Sequence, residues 1–245
     1  MSVEGKRLFV GVRVSVGTAN ALADAVETLA RRAGSAGHAV RWVPPTLYHV
    51  TLKFLGLTQP EAISALQDGL RAAVLGVAPF SFSVARLGAF PELGKARVIW
   101  AGVSSVDDAL GKLARRVDDA TSALGFAGAA GSAPAFVGHV TLGRLREPVA
   151  ISEVLLPLME QMFSDTKVAG ISLLESVLKS GTLTYRELAH FGFSSSEIGR
   201  KRQSLPLQLG PQDAPTPASS SGQPSIPSAA LDLETDDGWP RGHVP

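Results

Sequence analysis

The sequence predicts an α+β protein made of two similar lobes that face each other across a cleft. Apolar runs of strand length alternate with segments in which apolar residues recur every three or four positions, as they do in helices. A similar order of elements (strand, helix, strand, helix, strand) occurs twice within the first 193 residues, which indicates an internal duplication. Several predicted strands follow one another directly, so we expect hairpins and a mainly antiparallel sheet.

The first part of the chain contributes four predicted strands and two helices. The strands are expected at Leu8–Val16, His49–Leu55, Phe80–Leu87 and Arg97–Val103. The first helix follows the first strand, with Thr18 or Asn20 as its N-cap and Gly34 as its end. The second helix follows Pro60 and carries apolar residues at helical spacing from Ile63 to Val74.

The second part repeats this order with one less regular helix. The apolar stripe from Val106 to Leu124 predicts a helix capped by Ser105 and closed by Gly125. A shorter helix is expected over Ser152–Phe163, where Pro157 would kink or split it. The remaining strands are expected at Phe136–Leu145, Val168–Leu178 and Thr184–Phe191.

The composition changes at about residue 194. Residues 194–245 are rich in Ser, Pro, Gly and Gln without apolar periodicity, so we predict a disordered tail after a folded domain of residues 1–193. The tail has four basic and six acidic residues, which leaves +3 on residues 1–193 out of a total of +1. A mildly basic domain is compatible with an anionic ligand.

Several classes of protein are excluded or disfavoured by what the sequence lacks. With no cysteine, the chain forms neither disulfides nor thiolate metal sites, and it suits a reducing cytoplasm. It has no Gly-x-x-x-x-Gly-Lys loop for ATP and no His-x-x-x-His spacing for zinc. The first apolar run, interrupted by Arg13, is too short and polar for a signal peptide or membrane span. We therefore expect no cofactor, no metal and no membrane partner.

One tetrapeptide, His-Val-Thr-Leu, occurs twice. The copies begin at His49 and His139, ninety residues apart, in corresponding positions of the two repeats. Because alternate residues of a strand share a face, His49 and Thr51 are expected on one face, as are His139 and Thr141. Lobes related by a pseudo-twofold axis would bring both pairs to one cleft.

Two histidines and two threonines are suited to phosphodiester chemistry. Imidazole has an unperturbed pKa of about 6.5, so one ring can act as a general base and the other as a general acid near neutrality. The threonine hydroxyls can donate to the non-bridging phosphate oxygens, where charge develops. A single His-x-Thr is common in strands, so the functional prediction depends on its exact repetition.

The surrounding residues resemble a known family. Segments that carry the likeness include Arg7-Leu-Phe-Val10, Arg41-Trp-Val-Pro-Pro45, Tyr48-His-Val-Thr-Leu-Lys-Phe-Leu-Gly56, Gly88-Ala-Phe-Pro91, Arg97-Val-Ile-Trp-Ala-Gly-Val103, Gly138-His-Val-Thr-Leu-Gly-Arg144 and Leu174-Glu-Ser-Val-Leu178, before Gly181 and Tyr185. They are similar to those of RNA 2′,3′-cyclic phosphodiesterases of the 2H phosphoesterase superfamily, formerly called 2′–5′ RNA ligases. The resemblance spans about residues 6–193 and excludes the tail.

This resemblance implies a bilobal fold, two pseudo-twofold-related lobes with outer helices, and hydrolysis of a cyclic phosphate to a 2′-phosphate. It implies that His49 is the proton donor to the 3′ oxygen and His139 the proton acceptor from water, although the symmetric motifs leave the reverse assignment open. Thr51, Thr141 and Arg144 are the expected phosphate ligands, since a guanidinium can bind phosphate in a bidentate manner.

Three further side chains are candidate RNA contacts. Phe54 lies five residues after His49 and can stack on a nucleobase or belong to the core. Arg41 and Lys53 are candidate backbone-phosphate contacts. The expected partner is RNA or an oligonucleotide with a cyclic phosphate end, bound by a monomer.

Two alternatives remain open from the sequence. The same four side chains could cleave 2′–5′-linked oligonucleotides or join RNA halves reversibly through a 2′–5′ linkage. The chain could also be a non-catalytic module that binds RNA ends or nucleotides, although binding alone needs no matched acid and base.

Overall fold

The computed structural model describes residues 5–34, 40–126 and 136–193; the predicted tail, residues 194–245, lies outside the described residues. These residues form one curled antiparallel sheet of nine strands with four α-helices, which confirms the predicted α+β class. The strands are β1 (Lys6–Arg13), β2 (Val40–Trp42), β3 (His49–Thr58), β4 (Phe80–Phe90), β5 (Ala96–Ser105), β6 (His139–Val149), β7 (Met162–Val168), β8 (Gly170–Lys179) and β9 (Thr182–Gly192).

The two strands that carry the repeated motif lie at the centre of the sheet. Its order is β7-β4-β5-β6-β3-β1-β8-β9, and the short β2 pairs with β6. The junction between β6 and β3 therefore has four strands on either side. Every strand pair in the described residues is antiparallel.

The two lobes are not consecutive halves of the chain, as the simple repeat predicted. β4 and β5 come from the first part of the chain but lie with β6 of the second part, whereas β8 and β9 from the second part lie with β1 of the first. The short connection at residues 91–95 keeps β4 beside β5 as a hairpin. Strand exchange of this kind ties the lobes together covalently at several points.

The helices are α1 (Val16–Ala33), α2 (Ile63–Ala73), α3 (Ala109–Ser122) and α4 (Ser152–Leu155). Of the two predicted ends of α1, the C-terminal end is confirmed and the N-cap is wrong. Its N-cap is Ser15, whose hydroxyl accepts a hydrogen bond from the Thr18 amide, so the expected cap at Thr18 or Asn20 is wrong. The helix ends before Gly34, which adopts a φ of +52°, as predicted.

The region after β6 differs most from the prediction. The helix expected over Ser152–Phe163 is only four residues long and passes into a 3₁₀ turn that contains Pro157. Proline cannot donate the helical hydrogen bond, so the helix stops and the chain enters β7 instead. Neither β7 nor β2 was predicted from the sequence.

Core packing separates the two faces of the motif strands. Val50 and Val140 are fully buried, and Leu142 is buried beside them, while the intervening histidines and threonines are half-buried on the other face. α2 packs against α3, and α3 packs against β3. None of the described helices is both long and apolar enough to span a membrane.

A buried network of hydroxyl groups joins the start of α1 to β7. Thr18 and Thr166 are both essentially inaccessible, and their Oγ1 atoms lie 3.0 Å apart. The Ser15 amide donates to Thr166 Oγ1 at 3.1 Å, and Thr18 Oγ1 donates to the Asp165 carbonyl at 3.2 Å. Because these groups are shielded from water, each depends on its partner.

We expect Thr18→Val to lower the free energy of unfolding by about 1–3 kcal/mol, because it leaves the Thr166 hydroxyl and the Asp165 carbonyl without this buried partner. The measurement is urea unfolding followed by circular dichroism. Thr28→Val is the matched control, since the Thr28 hydroxyl bonds to Asp24 at the exposed surface and its loss should change stability by less than about 0.5 kcal/mol. Equal effects of the two substitutions would contradict a special role for the buried network.

Candidate active site

The two His-Val-Thr-Leu motifs meet at the centre of the sheet. β3 and β6 pair in antiparallel register at Val50 and Val140, the second residue of each copy. On the face away from these valines, this register places His49 opposite Thr141 across the junction, and Thr51 opposite His139. The structure thus brings together all four motif side chains, with the two histidines in diagonal positions.

Each imidazole is held by a hydrogen bond to its own chain. His49 Nδ1 lies 2.7 Å from the Leu47 carbonyl oxygen, and His139 Nδ1 lies 2.8 Å from the Val137 carbonyl oxygen. A carbonyl oxygen only accepts, so Nδ1 carries the proton in both rings. In neutral His49 the lone pair is therefore on Nε2, which accepts from the Thr51 hydroxyl at 3.0 Å.

His49 is neutral in the free site. Burial lowers the pKa of His49 to about 4, against the opposing effect of its hydrogen bond to the Leu47 carbonyl, and the charges of Arg144, His139 and Arg13 each make a smaller contribution that also lowers it. The effects of Arg144 and His139 on this ring also indicate that residues of both motif strands act on one centre.

A β-bulge follows the threonine of each motif and decides which later residues face the site. In β3, Gly11 pairs with Thr51 and Val10 with Lys53, so the register skips Leu52. In β6, the register skips Leu142 in the same way, between the pairs Trp100–Thr141 and Ile99–Gly143. Because the extra residue reverses the alternation, the fifth residue after each histidine returns to the histidine's face.

Arg144 and Phe54 are these fifth residues. Arg144 is half-buried, and its charge acts on His49. Phe54 is half-buried, pairs in register with Phe9, and has its ring centroid 6.3 Å from that of Phe9. Both residues therefore lie on the face that carries the motif histidines and threonines.

Arg41 reaches the same face from β2. It pairs in register with Arg144, and cross-strand partners share a face. Its Nη2 also donates to the Gly181 carbonyl at 3.3 Å, at the turn between β8 and β9. The two arginines therefore form a basic edge of the site.

Lys53 does not join the site, contrary to the prediction from sequence. The bulge at Leu52 turns it to the helical face, where its ammonium group forms an ion pair with Asp118 of α3. Only 12% of its side chain is exposed. A residue held between sheet and helix in this way is not positioned to contact RNA.

Aromatic rings surround the imidazoles. The ring centroids of Phe9 and Tyr185 lie 4.9 and 5.1 Å from that of His49, and Phe90 lies edge-on to His139 at 5.1 Å. Tyr185 is in β9, three strands from β3 and about 14 Å away in a flat sheet. Its contact with His49 therefore requires the sheet to curl around the site.

Gly11 provides the space that His49 occupies. A Cβ atom at this position would lie 3.0 Å from the Val50 carbonyl oxygen and 3.4 Å from His49 Cδ2. Five residues of the site were not predicted from the sequence: Gly11, Arg13, Phe9, Phe90 and Tyr185. Their placement depends on strand register and curl, although Phe9, Phe90 and Tyr185 lie in the segments that carry the family resemblance.

The described residues contain no group of three or more His, Asp or Glu side chains arranged to hold a metal ion. The site is instead composed of imidazole, hydroxyl and guanidinium groups. Donors of this kind bind an anion, and the two imidazole Nε2 atoms can exchange protons with it.

We expect His49 to titrate with a midpoint near 4 and to remain the neutral Nδ1–H tautomer at pH 7. Long-range ¹H–¹⁵N NMR correlations of the imidazoles, recorded between pH 3.5 and 8, measure both properties. His190, which is exposed on β9, lies outside the motifs and gives a separate imidazole signal. A midpoint near 6.5 for His49, or an Nε2–H tautomer, would contradict the arrangement.

The same titration predicts a direction for stability. The pKa of His49 is lower in the folded chain (about 4) than in the unfolded chain (about 6.5), so the unfolded chain binds more protons between these values. The stabilising contribution of neutral His49 is therefore complete above about pH 6.5 and is lost as the pH falls toward 4. Urea unfolding of the native chain and of His49→Asn should show a smaller loss on acidification for the variant.

Comparison with known proteins places this architecture in a family. The sequence model of LigT-like phosphoesterases matches residues 16–100. The RNA 2′,3′-cyclic phosphodiesterase of Aquifex aeolicus is 30% identical over 154 residues, which cover 62% of this chain and 80% of that protein. That of Archaeoglobus fulgidus is 29% identical over 187 residues, which cover 76% of this chain and 99% of that protein.

Solved structures show the same fold. A protein of Thermus thermophilus superimposes with a TM-score of 0.63 at 24% identity, over 76% of this chain and 97% of that one. Escherichia coli LigT in its apo form gives a TM-score of 0.57 at 21% identity, over 78% of this chain and 99% of that one. Together, the family model, the sequence relatives and the fold show that this chain belongs to the LigT-like phosphoesterase family.

Proposed function

We propose that this chain hydrolyses RNA 2′,3′-cyclic phosphate ends to 2′-phosphate ends by metal-independent acid–base catalysis. The observation that carries the proposal is the meeting of two identical His–Thr pairs at the β3–β6 junction. The names of the curated relatives support the substrate class. We expect the protein to act as a monomer in the cytoplasm.

The proposed reaction uses both imidazoles. His139 Nε2 takes a proton from water as the water oxygen forms a bond to phosphorus. The bond from phosphorus to the 3′ oxygen breaks, and His49 Nε2 gives that oxygen a proton. The bond to the 2′ oxygen remains, so the product is a 2′-phosphate with a free 3′-hydroxyl. Thr51, Thr141 and Arg144 hold the non-bridging oxygens, where charge accumulates.

The low pKa of His49 places a condition on its role as acid. At pH 7 the free ring is neutral, so it must gain a proton once substrate is bound. A phosphate monoanion about 4 Å away contributes about 4 kcal/mol at an effective dielectric constant of 20, equivalent to about three pKa units. Substrate binding can thus raise the pKa of His49 to near 7, so that the ring can carry the proton it gives to the 3′ oxygen. Considered without substrate, the neutral ring of His49 would suit the reverse assignment, with His49 as the general base.

His49→Ala and His139→Ala should each lower the hydrolysis of adenosine 2′,3′-cyclic phosphate by at least about 100-fold, because each removes a proton-transfer group. EDTA should leave the wild-type rate unchanged. The product formed is quantified by chromatography, which separates the 2′-phosphate from the 3′-phosphate. His190→Ala is the matched control, since this histidine hydrogen-bonds to Ser172 outside the motif. Full activity of either motif variant would refute the proposal, and so would loss of the wild-type activity in EDTA.

The two histidine roles can be separated with a substrate whose bridging 3′ oxygen is replaced by sulfur. A thiolate leaves without protonation, so the variant that lacks the general acid should regain activity on this substrate. We expect rescue of His49→Ala and none of His139→Ala. Rescue of His139→Ala alone would exchange the roles while leaving the overall chemistry intact.

A further inference from the structure

Arg13 is a cation of the site that the proposed hydrolysis does not use. It is the last residue of β1 and pairs in register with His49. Cross-strand partners share a face, so Arg13 follows Phe9 and Gly11 on the face that carries the catalytic imidazole. The intervening Val10 and Val12 are buried in the core, as this alternation requires.

Its guanidinium is available to a ligand. The residue is exposed, and Nη1 lies 3.5 Å from the Thr46 carbonyl oxygen, at the long limit of a hydrogen bond. Among the residues that the structure describes, Arg13 forms no ion pair with a carboxylate. Its charge nevertheless acts on His49 and disfavours the imidazolium form. An anion bound beside it would offset this unfavourable effect.

Arg13 and Arg144 flank the catalytic pair on opposite sides. Arg144 is in β6, on the far side of the junction, whereas Arg13 is in β1, beyond β3. In the proposed reaction, the phosphate between His49 and His139 is bound by the hydroxyls of Thr51 and Thr141 and by Arg144. Arg13 therefore lies where the remainder of the substrate passes, on the His49 side.

We propose that Arg13 binds the 5′-phosphate of the terminal nucleotide and so makes the site selective for oligonucleotides over nucleoside cyclic phosphates. This inference rests on the proposed function and on its direction. If His49 protonates the 3′ oxygen, the ribose lies against His49, and the 5′-phosphate of that ribose extends toward β1. Phe54, which is half-buried beside Phe9, lies in the same direction, where the nucleoside would contact it.

Three substrates and two matched variants test the proposal. The substrates are adenosine 2′,3′-cyclic phosphate, the same compound with a 5′-phosphate, and the dinucleotide ApA with a terminal cyclic phosphate. The variants are Arg13→Gln and, as the control, Arg31→Gln, because Arg31 is exposed on α1 and pairs with Glu27. The quantity compared is kcat/KM for each substrate at low and high salt.

We expect the wild type to prefer both substrates that carry the second phosphate, and Arg13→Gln to reduce that preference by about tenfold, the effect of one charge-assisted contact of about 1.4 kcal/mol. High salt should weaken the preference in the wild type. Arg13→Lys should restore part of it. Arg31→Gln should leave the ratio unchanged.

Different outcomes of this experiment distinguish a failure of this inference from a failure of the proposed function. If the wild type hydrolyses the nucleoside cyclic phosphate but shows no preference for a second phosphate, Arg13 has no such role and the hydrolysis stands. An equal loss on all three substrates in Arg13→Gln would likewise overturn the inference and place Arg13 on the reacting phosphate. A preference for the dinucleotide alone would assign selectivity to base stacking instead of Arg13. If the wild type hydrolyses none of the three, the proposed function itself fails.

Discussion

The pairing of β3 with β6 at Val50 and Val140 is the constraint on which the rest of the site depends. Both valines are fully buried, so the register is fixed by core packing and not by the polar residues beside it. A slip of one residue on either strand would turn its histidine and threonine into the core and its valine into solvent. The junction requires the same alternation of buried and polar residues in both copies, which the two identical motifs supply.

The paired bulges add the second requirement. A regular strand would place Arg144 on the face opposite His139, since the two residues are an odd number apart. The extra residue at Leu142 corrects this, and Leu52 does the same for Phe54 while turning Lys53 toward Asp118. The equivalent positions in the two copies therefore hold different side chains, guanidinium in one and aromatic in the other. Two similar motifs thereby produce an asymmetric site, which is cationic on the β6 side and aromatic on the β3 side.

The sequence was sufficient for those features that depend on local pattern. The fold class, most strands, Gly34 as the end of α1 and the four motif side chains follow from periodicity and repetition. Register, bulges and curl could not be predicted, because they depend on which strands become neighbours. For that reason the sequence offered Lys53 as a backbone-phosphate contact although it pairs with Asp118, Arg13 was noted only as an interruption of an apolar run, and the strand exchange between the repeats was not predicted. Pro157 was predicted to kink or split a helix over Ser152–Phe163, and that helix ends at Leu155, but the composition of residues 162–168 shows no alternating pattern that marks β7.

The electrostatics of the site follow from the same geometry. Burial and nearby positive charges keep His49 neutral while the site is free, so the general acid proposed here is formed only when an anion arrives. Such a site gains selectivity for anions from its own protonation equilibrium, because a neutral ligand would leave His49 unprotonated and the leaving group without a proton. Arg13 adds to this dependence, because its charge also lowers the pKa of His49 in the free site. On the inference drawn above, a second phosphate beside Arg13 would offset that charge and add to the effect of the reacting phosphate, so recognition of a polynucleotide would favour protonation of His49.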